Sequence, residues 1–156
     1  NKTYQLLPQM FSNDRDQFQQ LIAAGLQNKT EASQSAAILE QAVSLYRGEY
    51  LEGLDYHWLI PEREHLEHRC IEARFWLARY YLAVGKVGKG IRHLEILETM
   101  APLTEEVYTL FMSAYSTIGN YAEIKKWYQK LVTVFRNELG LAPSAQSREL
   151  YKKIFG

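Results

Sequence analysis

The sequence has little of several features on which whole classes of protein depend. It has one cysteine in 156 residues, which excludes a disulfide framework and a thiolate metal cluster. No hydrophobic run approaches about 18 residues, so neither a membrane span nor a secretory signal peptide is predicted. The 18 basic and 18 acidic side chains cancel, which leaves no net field to attract DNA, RNA or an anionic membrane. These absences favour a cytoplasmic protein that binds no membrane.

Residues that favour β-strands are also few. Valine, isoleucine and threonine together supply 22 of the 156 residues, whereas strong helix formers fill the segments between well-spaced glycines and prolines. Apolar residues recur at helical spacing in each of these segments. The sequence therefore predicts an all-α fold of about seven helices.

Breaker residues divide the chain into helical hairpins. Helices are predicted over residues 14–28, 31–46, 58–84, 91–100, 107–118 and 121–140. Residues 85–90 are predicted to form a turn because they include Gly85, Gly88 and Gly90. Pro143 opens a short last helix. We expect residues 1–13 to be a linker or the remnant of a preceding domain, and residues 14–156 to form one domain.

An internal repeat is the most informative pattern in the chain. Gly85 and Gly119 lie 34 residues apart, and 34 residues is the period of the tetratricopeptide repeat. Overlaying the two glycines aligns residues at three positions of the first helix of each pair: Leu77 with Phe111, Ala78 with Met112, and Tyr81 with Tyr115. The pattern predicts a tetratricopeptide-like stack of antiparallel helical hairpins that ends in a C-terminal capping helix.

Two motifs flank this repeat. Residues 45–55 read LYRGEYLEGLD and are followed by Trp58, and residues 138–144 read ELGLAPS. In this order, with Pro61-Glu62-Arg63 between them, they resemble the bacterial transcriptional activator domain, and the resemblance runs from about residue 14 to residue 154. The TYQL stretch at residues 3–6 also resembles the last wing strand of the winged-helix domain that precedes this module in the family.

The resemblance implies a non-enzymatic regulatory module. Its parent would be a bacterial transcription regulator with an OmpR-type winged-helix domain, in the family either a pathway regulator or a response regulator of a two-component system. DNA contact would be made only by the winged-helix domain, which is absent from these 156 residues. Expected protein partners are a second copy, an adjoining winged-helix or receiver domain, or the transcription machinery. Two other functions stay open, namely a free-standing tetratricopeptide-like peptide-binding adaptor and a small-ligand sensor.

The repeat also suggests where a partner would bind. In tetratricopeptide repeats the first helix of each pair lines a concave groove. Projecting the groove positions onto this chain gives eight candidate partner-binding residues: Glu72, Phe75, Arg79, Leu82, Glu106, Thr109, Ser113 and Ser116. Their mixture of charges, hydroxyls and one aromatic ring suits a peptide or a protein surface. It is equally open that the first hairpin or the capping helix fills the groove.

Catalytic, metal-binding and cofactor-binding patterns are not found. Glu62 and His65 have the spacing of a carboxylate-bridged metal site, but no second Glu-x-x-His accompanies them. Cys70 lies on an apolar stripe without a visible base. No phosphate-loop, hydrolase or zinc-protease motif occurs. The sequence therefore predicts no enzyme activity, no metal and no cofactor.

A basic cluster near the C-terminus could mimic a nucleic-acid surface. It consists of Lys125, Lys126, Lys130 and Arg136, with Trp127 and Tyr128 between them. Helical spacing instead assigns five residues to the core face of this helix: Tyr121, Ile124, Tyr128, Leu131 and Phe135. The lysines then lie on the opposite face, where they are expected to solubilise the protein.

Overall fold

The computed structural model describes residues 14–27, 31–48 and 56–156. The predicted linker at residues 1–13 with its wing-like stretch, the residues between the first two predicted helices, and most of the LYRGEYLEGLD motif lie outside these ranges. Within them the chain forms seven α-helices and no β-strand, which confirms the all-α class. The chain divides into two compact units, Asn1–Ala73 and Arg74–Gly156.

The helices follow the predicted order. They are α1 (Asp14–Gln27), α2 (Ala32–Leu45), α3 (Ile60–Ala83), α4 (Val87–Met100), α5 (Glu105–Thr117), α6 (Tyr121–Val134) and α7 (Ala145–Phe155). A 3-10 turn over His57–Leu59 leads into α3, and a π-helical turn over Phe135–Leu139 continues α6. Pro61 lies in the first turn of α3, where its missing N–H costs no helical hydrogen bond.

In the first unit, α1 and α2 form an antiparallel hairpin. Ile22 of α1 and Leu39 of α2 are fully buried, and the rings of Phe18 and Tyr46 lie 5.9 Å apart. The start of α3 in the same unit carries Glu62, whose carboxylate pairs with the Arg15 guanidinium of α1 at 2.8 Å. Apolar packing within the α1–α2 hairpin and the Arg15–Glu62 ion pair to α3 thus stabilise the described part of this unit.

In the second unit, the 34-residue repeat is visible in the backbone. Gly85 and Gly119 both adopt the left-handed conformation, with φ of 75° and 70°. The residue after each glycine donates its N–H to a tyrosine carbonyl five residues earlier, Lys86 to Tyr81 at 2.8 Å and Asn120 to Tyr115 at 2.9 Å. These bonds form the same helix-ending motif twice, so the overlay made from sequence is confirmed.

Helix α4 begins earlier than the glycines suggest. The predicted turn over residues 85–90 is wrong from Val87 onwards, because Gly88 and Gly90 both lie in the helix. Gly90 is buried against α3, and a Cβ there would lie 2.8 Å from Leu82 Cδ2 and 3.3 Å from the Ala78 carbonyl oxygen. The close approach of two helices, rather than a turn, therefore favours glycine at this position.

The core face of α6 also differs in part from its prediction. Ile124, Leu131 and Phe135 are buried as expected, but Tyr121 is 55% exposed. Trp127 is buried instead and stacks on Phe111 of α5 with ring centroids 3.6 Å apart. A stripe drawn at regular intervals misses Trp127, because its large ring reaches the core from the edge of the apolar face.

Tyr128 is half-buried, and its partner lies in the capping helix α7. The rings of Tyr128 and Tyr151 stack 4.0 Å apart.

The ELGLAPS motif connects α6 to α7. Gly140 takes a left-handed conformation with φ of 66°, Pro143 is buried, and the Ser144 side chain caps α7. The predicted last helix therefore begins two residues after Pro143, at Ala145.

Candidate partner-binding surface

Helix α5 separates its apolar and polar residues onto two faces. Its apolar face carries Tyr108, Phe111 and other fully or almost fully buried residues. The predicted binding residues of α5 lie on the other face, where three are partly exposed and one is exposed: Glu106, Thr109, Ser113 and Ser116. Their three- to four-residue spacing aligns them along one side of the helix. The α5 part of the predicted surface is therefore continuous and accessible.

The predicted binding residues of α3 differ from one another in solvent exposure. Glu72 belongs to the first unit and pairs with Arg69. In the second unit, Phe75 is only 8% exposed and Leu82 is half-buried. Arg79 alone among these three is exposed. Phe75 and Leu82 therefore serve packing more than they serve recognition.

Arg79 joins the first helices of the two repeats. Its Nε and Nη2 both donate to Oε1 of Glu106, at 2.8 and 2.5 Å, and its guanidinium lies 5.4 Å from the centre of the Phe75 ring. Both members of the pair are partly exposed, so the pair adds about 1 kcal/mol or less to stability. The structure thus brings two predicted residues together and gives the one predicted cation an internal partner.

A cleft of about 530 Å³ lies between α5 and α7. Its α5 wall is formed by Glu105, Glu106, Thr109, Leu110 and Ser113. Its opposite wall is formed by Ser144, Gln146, Ser147 and Leu150. The structure therefore brings three predicted residues, Glu106, Thr109 and Ser113, into one concave site, and the capping helix borders this site without filling it.

Glu105 was not predicted, and it holds the two walls of the cleft together. Its Oε1 accepts the backbone N–H of Ser144 at 2.8 Å. Burial alone would raise the pKa of Glu105, but hydrogen bonds from the Ser147 side chain and from the backbone and side chain of Ser144 outweigh it and lower the pKa below its ordinary value. The only sequence signal was an acidic residue in the first turn of α5, which does not name a partner 39 residues away.

The hydroxyl groups of the cleft have a defined hydrogen-bonding direction. The Thr109 hydroxyl donates to the Glu106 carbonyl at 3.0 Å, and the Ser113 hydroxyl donates to the Thr109 carbonyl at 2.9 Å. The Ser144 hydroxyl accepts the Ser147 N–H at 3.2 Å. Since each hydroxyl has one proton, Thr109 and Ser113 are left with lone pairs to offer a ligand.

The lysines of the basic cluster on α6 have local partners. Lys126 pairs with Glu123 at 3.1 Å, Lys130 pairs with Glu98 at 2.8 Å, and the Lys125 ammonium lies 5.3 Å from the Phe155 ring. The lysines of α6 therefore form no free basic patch.

Neither a metal-binding cluster nor a membrane-spanning helix is found in the ranges that the structure describes. His65 is exposed there, Cys70 is buried, and no group of three or more histidine, cysteine, aspartate or glutamate side chains could hold a metal ion. No described helix is both long enough and apolar enough to cross a bilayer.

Comparison with known proteins agrees with the fold. The C-terminal TPR-containing domain of a Plasmodium falciparum FK506-binding protein superposes with a TM-score of 0.64 at 18% identity, over 92% of this chain and 91% of that one. At this identity the similarity establishes the fold alone. A search of curated proteins found no match. The model of the bacterial transcriptional activator domain matches residues 13–155, and the chain therefore belongs to that family.

Proposed function

We propose that this chain is the protein-interaction part of a cytoplasmic bacterial transcription regulator whose DNA contact is made by an OmpR-type winged-helix domain. The family match over residues 13–155 carries the proposal, since it supports a regulatory interaction module. The α5 face and its cleft are the surface best suited to that role, because a concave, polar face on the first helix of a repeat can hold an extended polypeptide. The chain has no catalytic role in this proposal.

In this mechanism the winged-helix domain selects the promoter, and the α5 face selects the protein that acts there. That protein is a second copy, the receiver domain of a response regulator in a two-component system, or a subunit of the transcription machinery. Delegation of DNA contact agrees with the zero net charge and with the paired lysines of α6. A neutral surface avoids non-specific attachment to DNA and leaves the module available to proteins.

A small-ligand sensor is the alternative that the cleft favours most, because about 530 Å³ is within the usual size range of ligand pockets. Seven of its nine described lining residues have polar side chains, which suits a polypeptide better than a metabolite, since small-molecule pockets are lined mostly by apolar residues. A thermal-shift screen with candidate effectors separates the two. A stabilising metabolite would support the sensor, and a uniformly unchanged melting temperature would support the interaction module.

Two measurements test the regulator. The coding sequence upstream of Asn1 should encode a winged-helix domain, whereas a natural start codon with no such domain would favour a free-standing peptide-binding adaptor.

In the full-length regulator, Ser116→Lys and Thr109→Lys should reduce reporter transcription several-fold with unchanged promoter affinity. Gln129→Lys makes the matched change at an exposed position of α6 and should leave transcription unchanged. Equal transcription from all three variants would contradict a regulatory role for the α5 face, provided that circular dichroism shows each variant folded.

A further inference from the structure

We propose that the cleft between α5 and α7 binds a basic segment of a partner protein, with an arginine or lysine side chain placed against Glu105 and Glu106. The inference rests on the proposed function, because it names the chemistry of the partner that the module would hold. It is carried by three properties of the cleft: the direction of its hydrogen bonds, its charge and its shape.

The α5 wall of the cleft presents mainly hydrogen-bond acceptors to a ligand. Carboxylates only accept hydrogen bonds, and the hydroxyl protons of Thr109 and Ser113 are already directed at backbone carbonyls of α5. The α5 wall therefore offers acceptors along its length and offers a ligand no charged donor. A guanidinium carries five donors and an ammonium three, and neither has an acceptor. A cationic side chain is thus the group that satisfies this wall most completely.

Charge points to the same ligand. Two carboxylates line the cleft, and no cationic side chain is among its described lining residues. Arg79 neutralises Glu106 from the side of α3, and both of its bonds converge on one oxygen of that carboxylate. The hydrogen bonds to Glu105 favour its ionised form at neutral pH. The partners of Glu105 are hydrogen-bond donors at the N-terminus of α7, and none of them is a cationic side chain. The described lining of the cleft therefore keeps a net negative side-chain charge, which would repel an anionic peptide.

The shape of the cleft favours a polypeptide over a free amine. Glu106 and Ser113 lie about two helical turns, or roughly 10 Å, apart, which is close to the length of three extended residues. Leu110 and Leu150 add apolar surface on the two walls, against which the aliphatic stem of an arginine or lysine can pack. A small polyamine would satisfy the charge but would leave much of this length empty.

The direct test uses three probes on the purified 156-residue chain: an N-acetylated, C-amidated tetra-arginine peptide, the matched tetra-glutamate peptide, and spermidine. Amide chemical shifts in NMR titrations report where each probe binds. Tetra-arginine should give saturable shifts at Thr109, Ser113 and Gln146 that weaken with added salt, because partly exposed charges are screened. Tetra-glutamate should give none.

Two exposed glutamines provide a matched pair of variants. Gln146 lines the cleft, whereas Gln129 lies on α6 outside it, and both are exposed helical positions where we expect substitution to preserve the fold. Gln146→Lys should weaken tetra-arginine binding about two- to five-fold, and Gln146→Glu should strengthen it by a similar factor, as expected for one partly exposed charge. The same substitutions at Gln129 should leave the affinity unchanged.

Three outcomes would overturn the inference. They are shifts spread over the whole surface, equal effects of the Gln129 and Gln146 variants, and saturation of the cleft by spermidine without binding of tetra-arginine. The transcription assay distinguishes this failure from failure of the proposed function. If Thr109→Lys reduces transcription but the unaltered chain does not bind tetra-arginine, only the basic partner is rejected. If tetra-arginine binds in the cleft but every variant transcribes normally, only the regulatory role is rejected.

Discussion

Glu105 couples two helices that are distant in sequence. Its carboxylate accepts the N–H of Ser144, the residue that caps α7, so one side chain of α5 helps to start the capping helix. Negative charge beside a helix N-terminus is favourable, because the first backbone N–H groups of a helix have no internal partner. At the residue scale, the position of α7 therefore depends on a charged hydrogen bond as well as on apolar packing.

We expect Glu105→Gln to lower the free energy of unfolding by about 1 kcal/mol at neutral pH, since a charge-assisted hydrogen bond is lost. The folded-state pKa lies below the ordinary value of 4.5, so the contribution is fully present above that value and disappears as the pH falls through the folded-state pKa. Urea unfolding at several pH values measures this difference. Glu149→Gln, at an exposed position of α7, is the control and should show no such pH-dependent loss.

Tyr108 gives a second prediction at the residue scale, this time at alkaline pH. Burial and the nearby charge of Glu98 raise the pKa of Tyr108 to about 12, and its hydroxyl donates to the Pro102 carbonyl at 2.7 Å. Its contribution to stability is complete below the unfolded value of 10 and is lost as the pH rises towards 12.

Tyr108→Phe should therefore reduce the loss of stability between these two pH values, and it should cost about 1 kcal/mol at neutral pH through the missing hydrogen bond. Denaturant unfolding across the alkaline range measures both effects. Tyr121→Phe, at a position that is 55% exposed, should change neither. Identical alkaline curves for wild type and Tyr108→Phe would contradict the assignment.

At the scale of the helix, α4 offers two glycines with opposite requirements. A Cβ at Gly90 would meet Leu82 of α3 at 2.8 Å, whereas a Cβ at Gly88 would meet nothing within 4 Å. Gly88→Ala should stabilise the protein by about 0.5 kcal/mol, because alanine has the higher helix propensity. Gly90→Ala should destabilise it by about 1–3 kcal/mol through overpacking.

Thermal or urea unfolding of the two alanine variants checks this prediction, and each variant serves as the other's control. The result also bears on the repeat, because Gly90 occupies the tight helix crossing in the first repeat and Ile124 takes its position in the second. Equal effects at Gly88 and Gly90 would mean that the α3–α4 crossing tolerates a methyl group.

Sequence patterns predicted some helix boundaries correctly and missed others. The boundaries of α5 and the turns at Gly85 and Gly119 follow from local chemistry, so periodicity located them within two residues. The start of α4 did not follow, since a glycine required by close packing and a glycine required by a turn look the same in sequence. Tyr121 was assigned to the core and Trp127 was missed for a related reason: the two edges of an amphipathic face differ in burial only when the neighbouring helix is in place.

At the scale of the whole molecule, zero net charge and paired lysines predict that the 156-residue chain alone does not bind duplex DNA. Fluorescence anisotropy at about 150 mM salt should show no saturable binding below roughly 100 µM. The double variant Glu98→Lys and Glu123→Lys turns two ion pairs into a basic surface and should acquire salt-sensitive DNA binding. Tight binding by the unaltered chain would contradict delegation of DNA contact to another domain.

Residue spacing along the chain was enough to predict the helical class, the order of the helices and the 34-residue repeat, because each depends on neighbours within a few turns of helix. Which of the predicted residues line the candidate cleft depends instead on how the helices pack. Arg79 is paired with Glu106, Phe75 is buried, and the cleft depends on Glu105, which no pattern singled out. Contacts between α5 and α7 depend on the angle and distance at which two helices pack, and those quantities are set by the side chains of every neighbour together rather than by any local motif.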